Sequence, residues 1–101
     1  MIVVIYSSFP NKEAALHVGK YLLNNQLIAC SNISPITSQY IWKGKFHEET
    51  EYAAYFKTTI TKKGEAIKCI KKMHPYEIPI ITSEQLVVNN AYKSWMDRVL
   101  S

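Results

Sequence analysis

Tyr40-Ile41-Trp42-Lys43-Gly44-Lys45-Phe46 decides how this chain folds. Lys43-Gly44 is a two-residue turn candidate, and the flanking residues are rich in the β-branched and aromatic types that favour strands. Upstream, the strand-like pattern reaches back from Ile41 to Gln26, with Pro35 as an expected irregularity because proline cannot donate to a ladder. Downstream, Glu51-Tyr52-Ala53-Ala54-Tyr55-Phe56-Lys57-Thr58 continues the second arm. The two arms of about 15 residues each would reach roughly 50 Å if fully extended. A domain of this size spans only about 35 Å. The hairpin must therefore break at Pro35, or project and pair with another copy. An aromatic-rich edge left open would aggregate, so a closed symmetric oligomer is the physically favoured form.

Outward from the hairpin the pattern is balanced. Before it lies a helix, opened by Pro10-Asn11 with Asn11 as N-cap and carrying Ala15, Val18 and Leu22 at helical spacing. Asn24-Asn25 is the expected left-handed stop. Ahead of that helix, Ile2-Val3-Val4-Ile5-Tyr6 reads as a central strand buried on both faces. After the hairpin, Thr61 is the expected cap of a helix over 62–73, with Ala66, Ile67, Ile70 and Met73 inward. Pro75 and Pro79 prevent its continuation, and Ile80 to Val88 reads as another strand. Asn89-Asn90 leads into a last helix with Tyr92, Trp95, Met96 and Val99. The order β-α-β-β-α-β plus a C-terminal helix predicts an α+β, ferredoxin-like sandwich with a long β2–β3 hairpin, as one domain over residues 1–101.

Composition narrows the function. The chain has 101 residues, 48% apolar and 20% charged, which excludes disorder. Its net charge is +4, but Arg98 is the only arginine among 12 basic residues. Readers of phosphates and bases lean on the arginine fork, so nucleic-acid binding is not expected. Two cysteines do not make a disulfide scaffold and fit a reducing compartment. The apolar opening is too short for a signal segment, and no run is long enough for a membrane span. A cytoplasmic protein is expected.

Two places carry ligand chemistry. Cys30, in Ala29-Cys30-Ser31-Asn32, is either a small core residue or a soft copper or zinc ligand. His74-Pro75-Tyr76-Glu77-Ile78-Pro79 is a proline-stiffened segment, read either as a rigid connection or as a site in which His74 and Glu77 bind or orient a ligand. His74 ends a helix, where the dipole favours the protonated ring. Trp42 on the hairpin turn is an oligomer anchor candidate. Lys57, inside a strand, either snorkels or faces an anion. No Cys-x-x-Cys pair, Walker loop, Ser-His-Asp set or Rossmann glycine pattern is present, and no enzymatic activity is expected.

Taken together and in order, Ala29-Cys30-Ser31-Asn32-Ile33, Trp42-Lys43-Gly44-Lys45, Phe56-Lys57-Thr58, His74-Pro75-Tyr76-Glu77-Ile78-Pro79 and Asn90-Ala91-Tyr92 to Trp95 resemble the CutA divalent-cation tolerance family over nearly the whole chain. That resemblance implies a tight homotrimer with clefts between subunits and a role in binding or tolerating divalent cations, chiefly copper. It makes Cys30, His74 and Glu77 the metal candidates, and Trp42, Lys57 and Tyr76 the cleft candidates. No obligatory cofactor is expected. The competing expectation is a structural or signalling trimer that binds a small anionic ligand or a protein partner, without a metal role.

Overall fold

The computed structural model describes residues 1–101. Its elements are β1 (Ile2–Phe9), α1 (Lys12–Asn24), β2 (Cys30–Trp42), β3 (Lys45–Thr58), α2 (Ile60–Met73), β4 (Ile81–Leu86) and α3 (Asn90–Val99). The four strands form one sheet in the order β2-β3-β1-β4, with every neighbouring pair antiparallel. This is the predicted α+β arrangement, and β1 is central as its apolar run implied.

Alternation along β1 sorts the core. Val3, Ile5 and Phe9 pack beneath α1 and α2 with Ala15, Val18, Leu22, Phe56, Ala66 and Ile70. On the opposite face Ile2 joins Ala29, Met96 and Leu100, so α3 covers one end of that face. Burying side chains of this size contributes about 1.5–3 kcal/mol each, which outweighs the modest helix propensity of α2 with its lysines and Gly64.

Several local expectations shift. Asn11 caps α1 as predicted, its Oδ1 accepting from the Ala14 amide at 2.8 Å. The left-handed residue after α1 is Gln26 (φ 55), not Asn24 or Asn25. Asn25 keeps a negative φ because its side-chain amide donates to the Tyr21 carbonyl at 2.8 Å, satisfying the helix end directly. Helix α2 starts earlier than Thr61, and Thr59 is the cap, its hydroxyl accepting from the Lys62 amide.

Pro35 does not break the hairpin. Pairing runs without interruption from Cys30–Lys57 to Trp42–Lys45, with Pro35 opposite Tyr52. Strand β2 lies at the sheet edge, where a missing donor is tolerated. Lys43 (φ 50) and Gly44 (φ 79) both have positive φ, the signature of a type I′ turn. The hairpin therefore projects, and the chain measures 46 × 24 × 20 Å. Near its tip Ile41 and Phe46 face each other across the strands, 67% and 64% exposed.

Candidate functional site

The connection from α2 to β4 is tied down by His74. Its ring stacks on Phe9, centroids 4.4 Å apart. The Tyr76 backbone amide donates to Nδ1 at 3.2 Å, so the proton of the neutral ring sits on Nε2. Nε2–H points at the Ser8 carbonyl, 2.8 Å away, with the Ser7 hydroxyl oxygen at 3.1 Å. Ser7 in turn donates to the Ile80 carbonyl at 2.7 Å. Burial lowers the His74 pKa, against the opposing pull of the Ser8 carbonyl and the Glu51 carboxylate. The helix end was expected to favour the charged ring, but desolvation outweighs that effect. His74 is thus a neutral clamp with both nitrogens engaged.

Two residues further on, Tyr76 donates its phenolic O–H to the Glu51 carboxylate on β3. Burial, followed by that bond, pushes the phenol far above its ordinary value of 10.0, so Tyr76 is a donor and not a base at neutral pH. Glu51 is only 8% exposed. Next to this pair opens a cavity of about 450 Å³, walled by Tyr40 and Trp42 of β2, by Glu51, and by Tyr76 and Glu77 of the connection. Ile78 and Ile80 complete its apolar side. Tyr40, Trp42 and Glu51 reach it together because alternate residues share a face and the β2–β3 register places them there.

Of the six candidates from the sequence, Trp42, Tyr76 and Glu77 line this one cavity, and His74 adjoins it through Tyr76. Cys30 and Lys57 lie elsewhere, cross-strand partners near the far end of the hairpin. Cys30 is a free, half-buried thiol whose Sγ lies 3.7 Å from Asn32 Oδ1. The Lys57 ammonium stands 5.8 Å from the Tyr92 ring centroid, so its apolar stem and charge are accommodated by an aromatic face. Lys57 does not line the Trp42–Tyr76 cavity.

Lys57 pairs with Val4 of β1, whereas His74 touches Ser7 and Ser8. That offset is about 10–14 Å along β1, too far for Cys30 and His74 of one chain to share an ion. No three His, Cys, Asp or Glu side chains are gathered at metal-binding distance anywhere in the chain. Within this chain the three metal candidates do not make a chelating set.

Glu51 and Tyr40 were missed from sequence. The available signal was Glu51 itself, an acid opening the otherwise apolar and aromatic run to Phe56.

Comparison with known proteins matches this geometry to one family. The family model for the CutA1 divalent ion tolerance protein matches residues 3–99. The divalent-cation tolerance protein CutA of Thermotoga maritima is 44% identical over 96 residues, covering 94% of this chain and 95% of that protein. The crystal structure of the divalent ion tolerance protein CutA1 from Ehrlichia chaffeensis superposes with a TM-score of 0.94 at 35% identity, over 99% of this chain and 95% of that one. The periplasmic divalent cation tolerance protein CutA from Archaeoglobus fulgidus does so with a TM-score of 0.94 at 34% identity, over the full length of both. Family match, identity and superposition all run nearly end to end, and the chain belongs to the CutA1 divalent ion tolerance family.

Proposed function

We propose that this chain acts as a non-catalytic homotrimer in the cytoplasm, binding divalent cations, copper above others, at clefts between subunits. The observation that carries the reading is the projecting hairpin. Tyr40, Ile41, Trp42 and Phe46 are all exposed on a lone chain, a contiguous apolar tip that a solitary domain has no reason to keep. The segments flanking β4 offer further uncovered surface, with Ile78 72% and Val87 87% exposed. A closed ring of copies covers both.

For the metal, Cys30 supplies a soft sulfur donor of the kind copper favours, with the Asn32 side-chain oxygen 3.7 Å away. Glu77 supplies an exposed carboxylate. His74 joins only by giving up the Ser8 carbonyl or the Tyr76 amide. Binding is accordingly weak, with the ion as cargo and not as a structural centre, and Cys30 of one copy meets its remaining ligands across a subunit boundary. Free thiols fit a reducing compartment. Sedimentation and calorimetry of the purified chain test the proposal. Three times the chain mass, with saturable copper binding that Cys30→Ser abolishes, is the expected result. A monomer, or copper binding indifferent to Cys30, overturns it.

A further inference from the structure

The positive charge of the chain is gathered on one layer. Helices α1 and α2 hold seven of its eleven lysines and only two of its eight acidic residues, Glu13 and Glu65. Outside them acidic residues outnumber basic ones, six to five, so the net charge of +4 is carried by these two helices. None of the seven lysines forms an ion pair. Both helices pack on the same face of the sheet, with Val18 and Leu22 of α1 and Ala66 and Ile70 of α2 turned inward. Lys12, Lys20, Lys68, Lys71 and Lys72 are exposed. Between the helices opens a groove of about 370 Å³, lined by Tyr21 and Leu27 from the α1 side and by Lys68 and Lys72 from α2.

Strand alternation keeps this layer clear of the proposed assembly surface. The register that turns Val3 and Ile5 toward the helices turns Tyr40 and Trp42 to the opposite face. The residue types then select the partner. Unpaired lysines attract anions, but as point charges without the planar fork of arginine they suit a diffuse anionic surface better than phosphates held in a fixed duplex geometry. Single-stranded RNA asks for several stacking rings, and Tyr21 is the only aromatic residue on either helix. A stable protein interface centres on an apolar core depleted of charge, whereas here the lysines are spread over both helices. A lipid bilayer meets every feature. Its anionic headgroups move to meet each ammonium, and a tyrosine ring is at home at headgroup depth.

We infer that the α1–α2 layer docks this protein on anionic lipid bilayers, with Lys20 of α1 and Lys68, Lys71 and Lys72 of α2 meeting the headgroups and Tyr21 entering between them. No helix is long and apolar enough to cross a membrane, so the contact is peripheral. Each ammonium held near such a surface strengthens binding by about fivefold, so the lysines act together and the contact weakens as salt screens them. The layer belongs to one chain and faces away from Trp42, so a single chain and an assembled copy both present it.

Co-sedimentation of the native protein with vesicles tests this, using phosphatidylcholine alone and phosphatidylcholine mixed with phosphatidylserine. Binding to the mixed vesicles is expected to be about tenfold or more tighter and to fall as salt is raised. Lys20→Glu/Lys68→Glu, one change on each helix, is expected to weaken it by about twentyfold or more. Lys45→Glu/Arg98→Glu makes the same change in net charge away from the layer and is expected to stay within about threefold of the native protein. Equal binding to the two vesicles, or none to either, overturns the inference. Equal losses in the two variants overturn it as well, because binding then follows net charge and not this face. Glycerophosphoserine, the free headgroup, overturns it if it abolishes vesicle binding, which marks a small-anion site. Poly-glutamate bound more tightly than the vesicles at the same salt overturns it in favour of an acidic protein partner. Sedimentation mass and copper titration without lipid report on the proposed trimer and on Cys30 separately, so failure of one reading leaves the other intact.

Discussion

His74 and Ser8, far apart in sequence, are joined by an Nε2–H to carbonyl hydrogen bond of 2.8 Å that locks the end of α2 onto the central strand. The bond requires one tautomer, which the Tyr76 amide enforces by donating to Nδ1. A doubly protonated ring loses the Tyr76 contact and places a charge where burial disfavours it.

Stability is therefore expected to depend on pH through this residue. The folded-state pKa of His74 lies below the ordinary 6.5, so the unfolded chain binds more protons as pH falls through that range. The contribution is fully present above about pH 6.5 and is lost as pH falls through the lowered folded value. Denaturant midpoints measured from pH 8 to pH 5 should decline in the acidic half. In His74→Gln that slope should flatten, with a pH-independent loss of about 1–3 kcal/mol from the unpaired Ser8 carbonyl and Tyr76 amide. A wild-type midpoint flat to pH 5 contradicts the assignment.

Element order was legible in the sequence because periodicity and proline placement are local signals. The Asn11 cap, the Lys43-Gly44 turn and the central β1 all follow from adjacent residues. What escaped depends on distant partners. Pro35 reads as a break until β2 is known to be an edge strand. The Tyr76–Glu51 bond joins residues 25 positions apart, and no local pattern announces it. Cys30 and His74 drew attention by residue type, yet the antiparallel register sends them to different stretches of β1.

The α2 cap offers a second check. Thr59, not Thr61, accepts from the Lys62 amide at 3.3 Å. Thr59→Ala is expected to cost about 1 kcal/mol and Thr61→Ala almost nothing. Equal losses in urea melts would put the helix start in the wrong place.

Packing of α1 on β2 turns on Gly19. A Cβ there would lie 2.9 Å from Ser31 Oγ and 3.4 Å from Ser31 Cβ. That hydroxyl is buried and has no hydrogen-bond partner. Gly19→Ala should destabilise by about 1–2 kcal/mol, overpacking exceeding the gain in helix propensity. Ser31→Ala removes an unsatisfied polar group and should be neutral or stabilising by up to about 1 kcal/mol. The double variant should recover most of the Gly19→Ala loss, a coupling of about 1 kcal/mol in the cycle. Strict additivity would mean the two residues do not meet.

The two tryptophans separate assembly from folding. Both are partly exposed on a single chain, Trp42 at 40% and Trp95 at 38%. The Trp95 ring has only Tyr92 as an aromatic neighbour, 5.3 Å between centroids, on a helix whose one fully buried residue is Met96. Trp95→Ala should consequently cost less than the roughly 3–5 kcal/mol of a buried tryptophan, nearer about 1–2 kcal/mol. Trp42 stands beside the hairpin turn, remote from the core, so truncating it should change the stability of the isolated chain by no more than about 0.5 kcal/mol. Its cost belongs to association. Under the proposed trimer, Trp42→Ala should weaken assembly by a factor of about ten or more, as loss of a central aromatic anchor does. Sedimentation across a range of concentrations reads the first effect, and denaturation at a fixed low concentration reads the second. If Trp42→Ala lowers stability without moving the concentration dependence, the hairpin tip is not the surface through which copies meet.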